Sequence, residues 1–239
     1  MAKLEPHPLM QTIVDNPDAD LPRLVYADWL DEQGDPKLSM LAEFIRLDIE
    51  AETMPVRSER RKAFDQRQYE LLALDRDAVR LPTADWPHES FTLRRGLPER
   101  LHCTLKRFAE GGAAVLELVP ITSAAFVHVA NTTRDARFAA AAFARPELIR
   151  LRNIFVAGPL EADAFESLAG NPNATNLREL DLQLNDALSS DAATALAHGA
   201  IRFTSLTKLE LWGTRMTTAA RATLRGAFGN RVTVNGQPA

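Results

Sequence analysis

Cysteine is nearly missing from this 239-residue chain: Cys103 stands alone. A single thiol forbids an internal disulfide and cannot build a thiolate metal site, which suits a reducing compartment. Aromatic residues reach only 7%, so any that stand on an open face are informative. No apolar run approaches the roughly 18 to 20 residues of a membrane-spanning helix, and the opening MAKLEPHPLM lacks the apolar core of a signal peptide. A cytoplasmic chain with no membrane partner is expected. Neither charge is in excess: 28 Lys and Arg against 32 Asp and Glu leave a net −4, which exerts no general pull on nucleic acid. The phosphate-cradling patterns G-x-x-x-x-G-K-[ST] and G-x-G-x-x-G do not occur, and His7, His88, His102, His128 and His198 form no i, i+4 pair and no cluster at ligand spacing. No nucleic acid, metal or cofactor is therefore expected. What is there, 46% hydrophobic and 25% charged residues, is the composition of an ordinary globular protein of one or two domains.

The two halves are written differently. From about Leu21 to about Val79 apolar residues recur every three or four positions, which predicts helices. Leu21, Leu24 and Val25 form one stripe that ends at Gly34-Asp35-Pro36. Leu38, Leu41, Ala42, Ile45 and Ile49 form a second, up to Thr53-Met54-Pro55. A charged third helix spans Ser58 to about Arg80, before Leu81-Pro82. Arg94-Arg95-Gly96-Leu97-Pro98 reads as a turn leading to a short strand, Arg100 to Leu105, and a helix over Lys106 to Leu118 follows.

Beyond Pro120 the chain repeats. Leu177-Arg-Glu-Leu180-Asp-Leu182-Gln-Leu-Asn185 and Leu206-Thr-Lys-Leu209-Glu-Leu211-Trp-Gly-Thr214 share an L-x-x-L-x-L-x-x-N/T frame at a period of 29, the long end of leucine-rich repeats. Leu151-Arg-Asn-Ile154-Phe-Val156 and Ala124-Ala-Phe-Val127-His-Val129 are weaker copies. The stretches from Leu160, Leu188 and Met216 repeat in step at 28 residues. In each unit a short strand buries alternate leucines, such as Leu180 and Leu182, and an Ala/Leu-rich helix covers them, with Ser190 as the expected N-cap of one. Asn185 is placed to bond backbone groups at the turn. Leu224, Phe228, Val232 and Val234 read as a C-terminal cap.

Arg23-Leu-Val-Tyr-Ala-Asp28-Trp29-Leu-Asp-Glu32-Gln-Gly34-Asp35, followed by Ala42-Glu43-Phe44-Ile45-Arg46-Leu47, resembles the bacterial repeat-companion domain, which precedes leucine-rich repeats. The resemblance implies an α/β architecture. An N-terminal helical companion region over 1–119, with a short strand and a capping helix, leads into a short leucine-rich-repeat solenoid over 120–239, its parallel strands inside and helices outside. It brings no catalytic residues and assigns no activity.

Asp28 falls on the Leu21 stripe, which predicts a carboxylate against the core, paired with Arg23, Arg46 or backbone donors, with Trp29 and Tyr26 at the same helix junction. A hydrolase around Asp28, Glu32 and Glu43 is the weakest alternative. Cys103 reads as a buried structural thiol, because the adjacent His102 points to the other strand face. Arg57, Arg60, Arg61, Lys62 and Arg67 alternate with Glu59, Asp65 and Glu70 and read as a solvated face.

The concave repeat surface is the candidate binding site. In register, its columns are Phe126, Asn153, Glu179, Lys208; His128, Phe155, Asp181, Glu210; and Ala130, Ala157, Gln183, Trp212. Glu179 beside Lys208 makes an internal pair. Asp181 beside Glu210 is a like-charge contact that a cationic partner relieves, and an outward Trp212 next to it has the makings of a hot spot. The expected function is a non-catalytic protein-protein interaction module whose partner carries a basic patch. The alternative is a regulator or inhibitor of one enzyme, a nuclease or small GTPase.

Overall fold

The computed structural model describes residues 7–74, 86, 90–127, 137–158, 160–183, 189–211, 216–234 and 237–238. The chain forms two compact units, one of Met1–Arg100 with Ala114–Ile121 and the other of Leu101–Ala113 with Thr122–Ala239. The sequence reading sets a single boundary before Pro120. The chain instead passes between the units three times, because the strand Leu97–Cys103 begins in the first and ends in the second, and the helix Leu105–Leu118 does the reverse.

The first unit opens with α1 (Pro8–Asp15), a helix the apolar spacing did not announce. Pro8 sits at its start, where a missing N–H costs nothing, and His7 Nδ1 accepts from Leu9 N at 3.3 Å. Next come α2 (Asp20–Glu32), α3 (Pro36–Glu52) and α4 (Glu59–Leu74), each in contact with the helix before it. Asp35 caps α3 by accepting from Lys37 N at 2.8 Å, with Pro36 at the first helical position.

The stripe read on α2 is corrected. Leu21 and Val25 are exposed, and the helix buries Arg23, Tyr26, Ala27 and Leu30 instead. The buried face lies about a half-turn from the one the leucines suggest, so Asp28 faces solvent and not the core. Strands β1 (Phe91–Arg94) and β2 (Leu97–Cys103) are joined by Arg95 (φ 52°) and Gly96 (φ 75°), the paired left-handed residues of a tight hairpin turn. β2 therefore starts three residues before the predicted strand. Gly96 has a second reason to be glycine: a Cβ there would stand 2.4 Å from the Cα of Ile45. Its N–H donates to Asp48 Oδ2 at 2.8 Å, fixing the turn to α3.

The helix α5 (Leu105–Leu118) matches the reading from Lys106, and at Gly112 the backbone lies close against Phe108, since a Cβ there would meet the ring at 2.6 Å. From β3 (Ser123–Val127) the second unit alternates strand and helix: α6 (Ala139–Phe143), β4 (Asn153–Ala157), α7 (Ala162–Gly170), β5 (Glu179–Gln183), α8 (Ser190–Gly199), β6 (Lys208–Leu211), α9 (Thr218–Phe228), β7 (Val232–Val234) and β8 (Gln237–Pro238). β3 to β7 pair in parallel, each with the next, and β8 turns back antiparallel on β7. This is a mixed α/β fold with a mostly parallel sheet.

The period is visible in its bonds. Thr122 O receives Arg152 N and Asn153 N, Arg152 O receives Arg178 N and Glu179 N, and Arg178 O receives Thr207 N and Lys208 N. Glu161, Ser189 and Thr217 are the N-caps of α7, α8 and α9, spaced as evenly as the sequence repeats; the cap of α8 is Ser189, one residue before the expected Ser190. Ser189 and Thr217 each accept from the N–H three residues on, at 3.1 Å. Inside, Ile154, Val156, Leu180, Leu182, Leu209 and Leu211 are all 2% exposed or less. Consecutive helices touch, and α8 comes so near α7 that a Cβ on Gly199 would lie 2.5 Å from that of Ala169.

Candidate functional site

Alternation along β4, β5 and β6 sends one set of side chains inward and presents the other. The presented set is Asn153, Phe155 and Ala157 on β4, Glu179 and Asp181 on β5, and Lys208 and Glu210 on β6. The register seats Asn153 opposite Glu179 opposite Lys208, and Phe155 opposite Asp181 opposite Glu210. Glu179 and Lys208 are exposed; Asn153, Phe155, Asp181 and Glu210 are half-buried.

β3 departs from the predicted columns. Ser123 pairs with Asn153 and Ala125 with Phe155, an odd-numbered slip from the sequence alignment, and an odd slip exchanges the faces. Phe126, read as presented, is fully buried, edge-on to Phe108 and Phe143 at 5.1 and 6.1 Å between ring centres. Ser123 and Ala125, which take its place in the columns, are buried too. The open part of the face is thus the span of β4, β5 and β6.

The expected Glu179–Lys208 pair is also corrected. Their backbones are opposite, yet Lys208 Nζ reaches along its own strand to Glu210 Oε2 at 2.6 Å. Two residues apart on one face of a strand, the two side chains meet without crossing to the neighbour. This bond, helped by the more distant Glu179 and Asp181, raises the Lys208 ammonium above its usual range. The like-charge contact between Asp181 and Glu210 is therefore already offset from within the chain. Three carboxylates and one ammonium leave the face acidic.

Trp212 and Asn185 lie outside the described residues, as do His128, Ala130 and Thr214. Gln183 is placed by its backbone, opposite Ala157. The role expected of Asn185 is performed at another corner by Asn171, a residue the repeat frame did not single out. Asn171 is 4% exposed; its Nδ2 donates to Phe143 O at 2.8 Å and Arg145 O at 2.9 Å, and its Oδ1 accepts from Asn173 N at 2.8 Å. Asn176 Nδ2 to Ile149 O (2.8 Å) and Arg231 Nη1 to Leu206 O (3.0 Å) are further bonds from a side chain to the backbone of the preceding repeat. The signal for Asn171 was there: an Asn directly after a helix-ending Gly170 and before Pro172.

In the first unit, Arg46 bridges Asp28 (2.7 Å) and Asp31 (2.6 Å), so of the partners expected for Asp28 it is Arg46 and not Arg23 that is present. Both carboxylates hold the Arg46 charge above its ordinary value. Glu43 receives Arg67 in a fork at 2.7 and 2.9 Å. Glu32 is exposed on the last turn of α2. A catalytic trio from Asp28, Glu32 and Glu43 has no geometric support, because two of the three are ion-paired to arginines at the surface. Trp29 stacks between His7 (4.0 Å) and Tyr26 (5.7 Å), and burial pushes the Tyr26 hydroxyl upward. The basic helix α4 is met by acids throughout: Arg60 by Glu50, Arg61 by Asp65 and Lys62 by Glu59. Cys103 is buried.

No protein-family model, curated protein or solved structure matches the chain. Among the described residues, no group of His, Cys, Asp and Glu is arranged to hold a metal ion, and no helix is long and apolar enough to cross a membrane.

Proposed function

We propose that the chain is a non-catalytic protein-binding module, in which a repeat-companion-type helical region precedes short leucine-rich repeats whose presented strand face receives a basic partner. One observation carries the reading: Phe155 stands half-buried beside Asp181 and Glu210 in a register-matched row, with Glu179 and Lys208 in the row next to it. Adjacent strands are about 4.8 Å apart, so a partner meets these side chains as one acidic surface with an aromatic at its β4 edge. The even spacing of N-caps and of strand-to-strand bonds supports the repeat architecture. Three presented strands make a small footprint, which agrees with an interaction of modest affinity.

The test is capture on the immobilised full chain followed by mass spectrometry of what is retained. A partner retained by the wild type and lost on Phe155→Ala combined with Asp181→Lys, with the melting temperature within a few degrees of wild type, supports the face; Trp212→Ala extends the test to the residue that follows β6 in the sequence. Retention unchanged by all three substitutions overturns it.

A further inference from the structure

The first unit contains a buried polar cluster that the strand face does not use. Arg23 is 0% exposed and Arg95, on the hairpin turn, 7%. Their guanidinium groups converge on one acceptor: Pro17 O receives Arg23 Nη2 at 2.9 Å and Arg95 Nη2 at 2.8 Å. Two cations thus lie side by side, closer than the sum of those two distances.

Of the carboxylates close to them, only Glu99 is buried. Glu99 is 9% exposed and meets Arg95 Nη2 at 3.2 Å, but it also receives Arg94 Nη1 at 3.1 Å. Asp20 reaches Arg95 Nη1 at 3.4 Å from a half-exposed position, and Arg95 Nη1 spends its other bond on Asp18 O at 2.8 Å. Arg94 itself is exposed and held by Glu52 at 2.6 Å. Among the described residues, Arg23 Nε, Arg23 Nη1 and Arg95 Nε have no hydrogen-bond acceptor. Among the described residues, two buried guanidinium groups thus have one buried carboxylate between them and three nitrogens without an acceptor, an arrangement that is costly unless something fills it.

Desolvation first, and the charge of Arg95 second, press Arg23 down to about 10 against the opposing pull of Glu99, Asp20 and Glu52, which leaves it protonated at neutral pH. Losing the proton therefore does not relieve the cluster there. The missing group has to accept several N–H bonds, bring negative charge, and reach side chains that present almost no surface. Side chains this deeply buried favour a small ion over a partner's carboxylate or a phosphate group.

We infer that Arg23 and Arg95 form a buried site for one small inorganic monoanion, with chloride as the ordinary occupant, lodged where α2 meets the β1–β2 turn. The anion locks the hairpin residue Arg95 to the segment Pro17–Asp20 and so sets the start of α2. A water molecule satisfies the donors but not the charge, and this is the rival the experiment separates.

Crystals of the full chain grown in sodium gluconate and soaked in sodium bromide are read by anomalous scattering. A bromide peak in contact with Arg23 Nε or Nη1 supports the site, and a water there, or no peak, overturns it. In solution at constant ionic strength, replacing gluconate by chloride raises the wild-type melting temperature by roughly 2–4 °C and saturates, as a single stabilising site does. Arg23→Met removes that saturable rise. An unsaturable rise of equal size in wild type and variant overturns the site, and the crystallographic arm needs no variant that might fail to fold.

Discussion

The contact between α3 and α4 in the first unit and that between α7 and α8 in the second are opposite solutions to docking two helices. Arg60 with Glu50, Arg67 with Glu43, and Gln68 Nε2 with Asp48 at 2.9 Å tie α4 to α3, and Arg61 also donates to Ala51 O. α7 buries Ala164, Phe165, Leu168 and Ala169 and α8 buries Ala192, Ala193, Leu196 and Gly199, with Gly199 set directly against Ala169. The first contact is specified by matching charges one by one; the second by small residues that let two backbones approach. Paired charges at a surface give specificity with little net stability, whereas a dry apolar contact supplies stability in proportion to area. The α7–α8 contact should therefore yield to cavities and resist salt, whereas the ion pairs between α3 and α4 should weaken as salt is added.

The largest effect that follows is in the repeats. Leu209→Ala, at a position with 0% exposure in the middle of the parallel sheet, is expected to cost about 3 kcal/mol, within the range of 2–5 for such truncations. Urea melts of the full chain read it, and the loss should be the same in low and high salt. A cost under about 1 kcal/mol would break the contrast, because the sheet would then not be held by buried area.

Much smaller is the effect of cutting an ion pair. Arg46→Met removes the bridge to Asp28 and Asp31, whose side chains are 69% and 40% exposed, so the cost is expected below about 1 kcal/mol and to vanish in 1 M salt. A salt-independent loss would instead mean that the aliphatic stem of Arg46 packs as a core residue, and the distinction between the two units would narrow.

These contrasts explain what was legible in the sequence. Periodic, area-driven structure announces itself: the leucines of β5 and β6, the 28-residue step of the helices and the buried Cys103 follow from spacing and residue type alone. Pairing does not. On α2 the apolar letters Leu21 and Val25 point outward while a charged residue, Arg23, lies in the core, since its acceptor, Pro17 O, is supplied by the loop before the helix. No helical periodicity encodes such an acceptor. β3 failed for a different reason. Ser123-Ala-Ala-Phe-Val127 has small residues on both faces, and without a leucine pattern the face is decided by where Phe126 finds Phe108 and Phe143, which are distant in sequence. On the candidate face, the row of Phe155, Asp181 and Glu210 was readable from the frame, but the choice of ion-pair partner was not.

That choice gives the finest of the tests. Lys208 faces Glu179 across the strands and Glu210 along its own, and the structure selects Glu210. The ammonium is therefore held above the ordinary lysine value near 10.5 in the folded chain. A cation whose folded value is raised stabilises the fold fully at pH below its unfolded value, and that contribution is lost as the pH climbs through the raised one. The side chain is 48% exposed, so stability moves too little to be the readout, and titration of the Lys208 ammonium by NMR is the measurement. Glu210→Gln should return Lys208 to the range of the other lysines, while Glu179→Gln should move it only slightly. The opposite ranking would restore the cross-strand pair and leave Glu210 uncompensated against Asp181, which would make the face more strongly acidic toward a basic partner than the in-strand pair allows.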